Sequence, residues 1–141
     1  MNEYDENIIE VNEPGAGYNA ERDFITLDCW KKAREVKLFF YNEIIPKLPE
    51  EEKYCLKSQI QRAAVSGTAN ISEGYGRFHY QEGIQFYRIS RGSLYELKDH
   101  LISCYDLKYI NKELYSKGES LIEDAKKTLN GFINFVKKQI K

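Results

Sequence analysis

Residues 59–77, Gln-Ile-Gln-Arg-Ala-Ala-Val-Ser-Gly-Thr-Ala-Asn-Ile-Ser-Glu-Gly-Tyr-Gly-Arg, carry two stripes at helical spacing. The first is apolar and reaches back to Leu56: Leu56, Ile60, Ala63, Ala64, Gly67 and Ile71. The second is polar: Gln59, Arg62, Ser66, Asn70, Glu73 and Arg77 follow one another at intervals of three and four, so their side chains share one face. An apolar stripe beside a polar one at this period predicts a long amphipathic helix with a buried side. Pro49-Glu50-Glu51-Glu52 predicts its start, with proline in the first turn and acids on the positive end of the dipole, and Gly74-Tyr75-Gly76 its end. That span is about 25 residues.

The same period runs outward in both directions. Upstream, Trp30, Ala33, Val36, Phe40 and Ile44 predict a helix that Asp28 caps and that Pro46 and Pro49 end. Downstream, a third helix over 80–107 reads Phe86, Ile89, Ser90, Ser93, Leu94, Leu97, Leu101 and Cys104. A fourth over 112–138 reads Leu114, Leu121, Ala125, Leu129, Phe132 and Val136. Alternating β-branched and polar residues are lacking, so the sequence offers no strand. Four helices joined by short connections predict an all-α, antiparallel up-down-up-down four-helix bundle. At 141 residues one core is the default.

Charge divides the chain. Residues 1–23 carry seven acids against one base, a net of −6, while the other 118 residues hold 20 Lys and Arg against 15 acids, a net of +5. Acids, Asn, Pro14, Gly15 and Gly17 in the first segment predict a disordered acidic tail over 1–23 ahead of a bundle domain over 24–141. No run of 18 apolar residues predicts a membrane span, and an acidic N-terminus does not read as a signal peptide. Three cysteines, Cys29, Cys55 and Cys104, make no disulfide framework, and a reduced cytoplasmic protein is expected.

The polar stripe of the second helix is expected to be a seam or oligomer interface. The residues beside it, Ala63, Gly67 and Ala69, are small, and a mid-helix glycine costs about 1 kcal/mol unless something approaches its backbone. Glu73 and Arg77 stand at ion-pair spacing. On the third helix Arg88, Arg91, Tyr95 and Lys98 combine positive charge with an aromatic ring, a row able to follow a phosphate backbone while the ring stacks on a base. The alternative for that row is a solvated face pairing with Glu96 or Asp99. Further cations lie at Lys31, Lys32, Arg34, Lys37, Lys126, Lys127, Lys137 and Lys138. Tyr75, Phe78, Tyr80, Phe86 and Tyr87 gather at the second interhelical turn, where packing is the expected role.

Enzyme chemistry finds little purchase. His79 and His100 are 21 residues apart without a Glu-x-x-His or His-x-x-x-His partner, so no metal is expected. Gly74-Tyr75-Gly76 lacks the third glycine and the preceding strand of a dinucleotide fingerprint, and no cofactor is expected. Cys55 and Cys104 lack an adjacent base, and their helical positions favour packing.

Asn70-Ile71-Ser72-Glu73-Gly74-Tyr75-Gly76-Arg77 resembles the four-helix-bundle proteins encoded in intervening sequences of bacterial 23S rRNA genes. The likeness includes Trp30-Lys31-Lys32-Ala33-Arg34-Glu35, Gln59 to Ser66, Phe86 and Ser90-Arg91-Gly92-Ser93-Leu94-Tyr95-Glu96-Leu97, and spans roughly 24–138. Asn70, Glu73, Gly74, Gly76 and Arg77 fall on the signature of that family. The resemblance implies a ring-like homopentamer without enzymatic activity. It also implies kinship with the accessory protein of diversity-generating retroelements, which works with a reverse transcriptase and nucleic acid. The expected function is a non-enzymatic oligomeric adaptor that binds RNA or a nucleic-acid-bound protein such as a reverse transcriptase. The alternative is a structural oligomer with no nucleic-acid role. Five copies of a +5 body would present +25, and five tails of −6 could compete with RNA for that surface; the resemblance does not extend to the tail.

Overall fold

The computed structural model describes residues 23–140; the tail expected over 1–23 lies, apart from Asp23, outside them. Four helices carry the fold: α1 (Asp28–Phe39), α2 (Leu56–Gly76), α3 (Tyr80–Asp106) and α4 (Lys112–Gln139). Each packs on its neighbours in sequence and α1 closes against α4, which makes the up-down-up-down bundle. Among the described residues there is no strand. At 27 residues α3 is about 40 Å long.

The core follows the apolar stripes. Val36, Phe40, Ile60, Ile71, Leu94, Leu97, Leu101, Ile122, Leu129 and Phe132 are all shielded from solvent. Full burial of such a side chain contributes about 1.5–3 kcal/mol. Ile89 departs from its stripe: it is 52% exposed, because α3 turns Ser90 inward in its place.

Two helix starts differ from the sequence expectation. Leu27, fully buried, occupies the N-cap of α1 without a side-chain hydrogen bond, and Asp28 sits inside the first turn. The capping carboxylate is Asp23, whose Oδ1 accepts from the Phe24 amide at 2.8 Å to start a 3-10 turn over Phe24–Thr26. The glutamates after Pro49 form a separate 3-10 turn, Glu50–Glu52, and α2 begins only at Leu56. Glu52 explains the delay: one carboxylate oxygen accepts from the Tyr109 hydroxyl at 2.7 Å and the other faces the Leu56 amide at 3.4 Å. The acid thus ties the connector to the α3–α4 turn and still serves the positive end of α2. That carboxylate pushes the Tyr109 phenol up to about 12. At its far end α1 widens into a π-helical turn, Phe40–Ile44, where adjacent Phe39 and Phe40 are both buried with rings edge to face at 5.6 Å.

Both long hairpins turn on a residue with positive φ that is not glycine, Phe78 (56°) and Lys108 (62°). Such residues cost of order 1–3 kcal/mol and persist where surrounding contacts enforce them. At Lys108 the contacts are a pair of backbone bonds, Lys108 to Tyr105 and Tyr109 to Cys104, that close the end of α3.

Close approach between helices rests on two sites. A Cβ at Gly74 would lie 2.6 Å from the Tyr87 ring and 2.9 Å from the Gly83 carbonyl, so α2 and α3 meet nearly backbone to backbone. At Gly118 a Cβ would lie 2.7 Å from the Phe39 ring and 2.9 Å from Leu101. Gly131, in the exposed middle of α4, has nothing within 4 Å of a Cβ. Gly74→Ala is therefore expected to lower unfolding stability by about 1–3 kcal/mol through overpacking. Gly131→Ala is expected to raise it by about 0.5–1 kcal/mol. Denaturant melts of the two variants check the contrast.

Candidate interaction surface

The polar stripe of α2 forms one edge of its contact with α3. Asn70 Nδ2 donates to the Ser66 carbonyl and to Ser66 Oγ, both at 2.9 Å, and Ser93 Oγ on α3 donates to Ser66 Oγ at 2.8 Å. Deeper in the same contact, the buried Ser90 hydroxyl donates to the Gly67 carbonyl at 2.6 Å. This is what approaches Gly67: a hydroxyl reaches its carbonyl, while the space a Cβ would take is open to 4 Å. At one end of the stripe Arg62 donates to Gln59 and lies 3.6 Å from Glu96 of α3. At the other, Arg77 pairs with Glu73 at 2.8 Å and rests 5.0 Å above the Phe86 ring. All six residues of the stripe thus hydrogen-bond or pair within the chain. Just outside them lie small or exposed residues: Ala69 on α2, and Gly92 and the half-exposed Ile89 on α3.

The basic row of α3 faces the other way, towards α4. Arg91 donates to Asn130 at 3.1 Å, Lys98 pairs with Glu123 at 2.7 Å, and the Lys126 ammonium lies 3.9 Å from the centre of the Tyr95 ring. Lys126 also bonds Glu123 at 3.1 Å and is buried, so it is not one more solvated lysine. Glu123 therefore lies between two ammonium groups, which hold its carboxyl below the ordinary value of 4.5, while its hydrogen bond raises the Lys98 pKa. Arg88 is exposed and has no ion pair among the described residues. Spacing alone places the row on one face and offers Glu96 and Asp99 of the same helix as its partners. The partners are instead Glu123, Lys126 and Asn130 of α4, whose intervals of three and four put them on one face of that helix.

At the second interhelical turn Tyr75, Tyr80 and Tyr87 are buried, and Tyr87 packs edge to face on Phe132 with centroids 4.8 Å apart. Phe78 differs, being 43% exposed on its positive-φ turn. His100 Nε2 lies 3.4 Å from Glu96. Among the described residues no three His, Cys, Asp or Glu side chains form a group able to hold a metal ion. Cys29 and Cys104 are buried, but Cys55 is exposed ahead of α2, not packed within a helix as its position in the sequence suggests. Burial pushes the Cys104 thiol up to about 11. None of the helices formed by described residues is long and apolar enough to cross a membrane.

The Glu123 contribution to stability carries a definite sign. With its folded pKa lowered, the contribution is complete above the ordinary carboxylate value and disappears as pH falls through the folded value. Glu123→Gln is expected to lower the unfolding midpoint at neutral pH, and the difference from the parent should shrink as pH drops below about 4.5. Arg88→Ala should leave the midpoint unchanged at both pH values. Thermal melts across pH 3–7 check both.

Comparison with curated proteins returned no match. The family described as 23S rRNA-intervening sequence protein matches residues 26–131, a span that takes in α1, α2, α3 and most of α4 together with the whole α2–α3 seam. The chain belongs to the 23S rRNA-intervening sequence protein family.

Proposed function

We propose that the chain is a non-enzymatic cytoplasmic adaptor that works as a homo-oligomer through its α2–α3 face and contacts RNA, or a nucleic-acid-bound protein such as a reverse transcriptase, only when assembled. The observation that carries the reading is the state of that face. The Asn70 amide and the Ser93 hydroxyl already donate inside the chain, both reaching Ser66, so covering them leaves those donors paired. Beside them Gly92 stands exposed in mid-helix with nothing within 4 Å of a Cβ, a cost of about 1 kcal/mol that nothing inside the subunit offsets. A helix from a second copy, pressed close at Gly92 and covering Ile89, would offset it. Five copies is the number implied by the family resemblance.

Assembly also supplies the charge for nucleic acid. Residues 24–141 carry +5, little beside proteins that neutralise roughly 6–10 phosphates, whereas five linked bodies carry +25. Weak contacts linked in this way gain through effective concentration. Of the α3 row Arg88 is the residue open to a phosphate, with Arg91, Tyr95 and Lys98 available once their contacts to α4 are exchanged. Those contacts are also the specific observation that favours a second reading, a structural or protein-binding oligomer without a nucleic-acid role.

Light scattering on the intact chain, alone and with a structured RNA at low and raised salt, tests both halves. The expected mass is near five times 16.6 kDa, growing with RNA at low salt and not at raised salt. Gly92→Arg should reduce the mass to that of one chain with helix content unchanged. A monomeric parent protein overturns the assembly, and an oligomer indifferent to RNA at both salts leaves the second reading.

A further inference from the structure

On the side of the bundle away from the α3 row, α1 and α2 leave an open groove of about 420 Å³ lined by Lys37, Leu38, Tyr41, Asn42 and Val65. Its floor is apolar and wet: Leu38, Tyr41 and Val65 are 38%, 36% and 48% exposed. One and two turns back along the same flank of α1 stand Arg34 and Lys31, both exposed. Lys31, Arg34 and Lys37 make no ion pair among the described residues, and the Lys37 ammonium donates only to the neutral Thr68 hydroxyl at 3.3 Å. Lys32, one position from Lys31 but turned towards α4, pairs with Asp124 at 3.0 Å and faces Glu35 at 3.8 Å. Glu35, although four residues from Lys31, lies within ion-pair range of Lys32 and of none of the three, and the groove is left as an apolar strip with three cations along it that no described acid pairs.

The chain itself contains the complementary segment. Residues 6–13, Glu-Asn-Ile-Ile-Glu-Val-Asn-Glu, set three aliphatic side chains among three acids with no base. Val11 lies 12 residues before Asp23, a connection that reaches about 40 Å when extended. Leu38 lies only about 15 Å along α1 from its start at Asp28. Pro14-Gly15-Ala16-Gly17 in between supplies turn residues for the chain to double back along α1. We propose that the α1–α2 groove is the docking site of residues 6–13 of the same chain, Ile8, Ile9 and Val11 covering Leu38, Tyr41 and Val65 while Glu6, Glu10 and Glu13 meet Lys31, Arg34 and Lys37. Docking removes three cations and an apolar strip from the surface at once, so it sets how much of the basic body other partners meet. It does not depend on the oligomer described above.

The test uses the full-length chain with a nitroxide on Asn7→Cys, Cys55 replaced by Ser and isotope-labelled methyl groups, diluted into unlabelled protein. Cys29 and Cys104 are buried and escape labelling. At low salt the Leu38 and Val65 methyl signals are expected to be lost to broadening, whereas those of Ile89 and Ile102 on α3 remain. Replacing Ile8, Ile9 and Val11 by Ser, or raising salt together with Glu6, Glu10 and Glu13→Gln, should restore the lost signals without altering the fold. Loss at Ile89 or Ile102 in place of the groove, or no loss anywhere, overturns the proposal. Loss seen only when nitroxide and isotope sit on different chains assigns the groove to a neighbouring copy and overturns it as well. Unbroadened groove signals that shift on adding a structured RNA assign the groove to nucleic acid and likewise overturn the proposal.

Discussion

The near contact of two backbones at Gly74 and Gly83 governs the bundle. Three residues connect α2 to α3, so the helices must separate from a point where they almost touch; Gly74 has no room for a Cβ there, and one at Gly83 would press on the Gly74 carbonyl at 3.1 Å. With the gap closed, the Tyr87 ring fills the volume beside both glycines and reaches Phe132 of α4. The same proximity brings Ser90 within reach of the Gly67 carbonyl and Ser93 within reach of Ser66. The polar seam is therefore a consequence of the glycine contact. Apolar burial supplies the bulk of the stability, and this contact decides which faces are buried.

Periodicity carried much of this into the sequence. The ends of α3 and α4 were legible to within a residue, because both stripes are long and Asn111 caps α4 through the Leu114 amide as an asparagine should. The start of α2 was not legible: proline followed by three acids is a sound local start signal, and what overrides it is Tyr109, 57 residues away, taking Glu52 as its acceptor. Ile89 misled for a related reason. Period places a residue on a stripe only to within the stripe's width, and rotation of the helix about its own axis decides which edge is wet.

The candidate site divides along the same line. Both rows of side chains could be read from spacing, and Glu73 with Arg77 could even be paired, since both partners lie on one helix. What Arg91, Tyr95 and Lys98 face could not be read that way, because their partners belong to a helix whose angular position depends on the whole bundle. The Leu38, Tyr41 and Val65 groove was likewise hidden. Its two halves lie on different helices, each a short exposed interruption that looks ordinary by itself. Charge differs between the faces: Lys32 and Lys98, turned towards α4, find Asp124 and Glu123, and Lys31, Arg34 and Lys37 along the α2 flank of α1 pair with no described acid.

The π turn over Phe40–Ile44 gives the end of α1 a property found nowhere else among the described residues. A π turn holds one residue more than the α-helical turn it replaces, so the chain beyond Ile44 is rotated by about 100° relative to an unbroken helix. Phe39, which closes on Gly118, lies before that joint, and the connector tied by Glu52 lies after it. The two ends of the rod are thereby uncoupled in register. Loss of one exposed residue of the joint, Tyr41 or Asn42, would rewind it to a regular helix while the buried Phe40 and Ile44 stay in the chain, so chain length can drift by one there with the upstream face undisturbed.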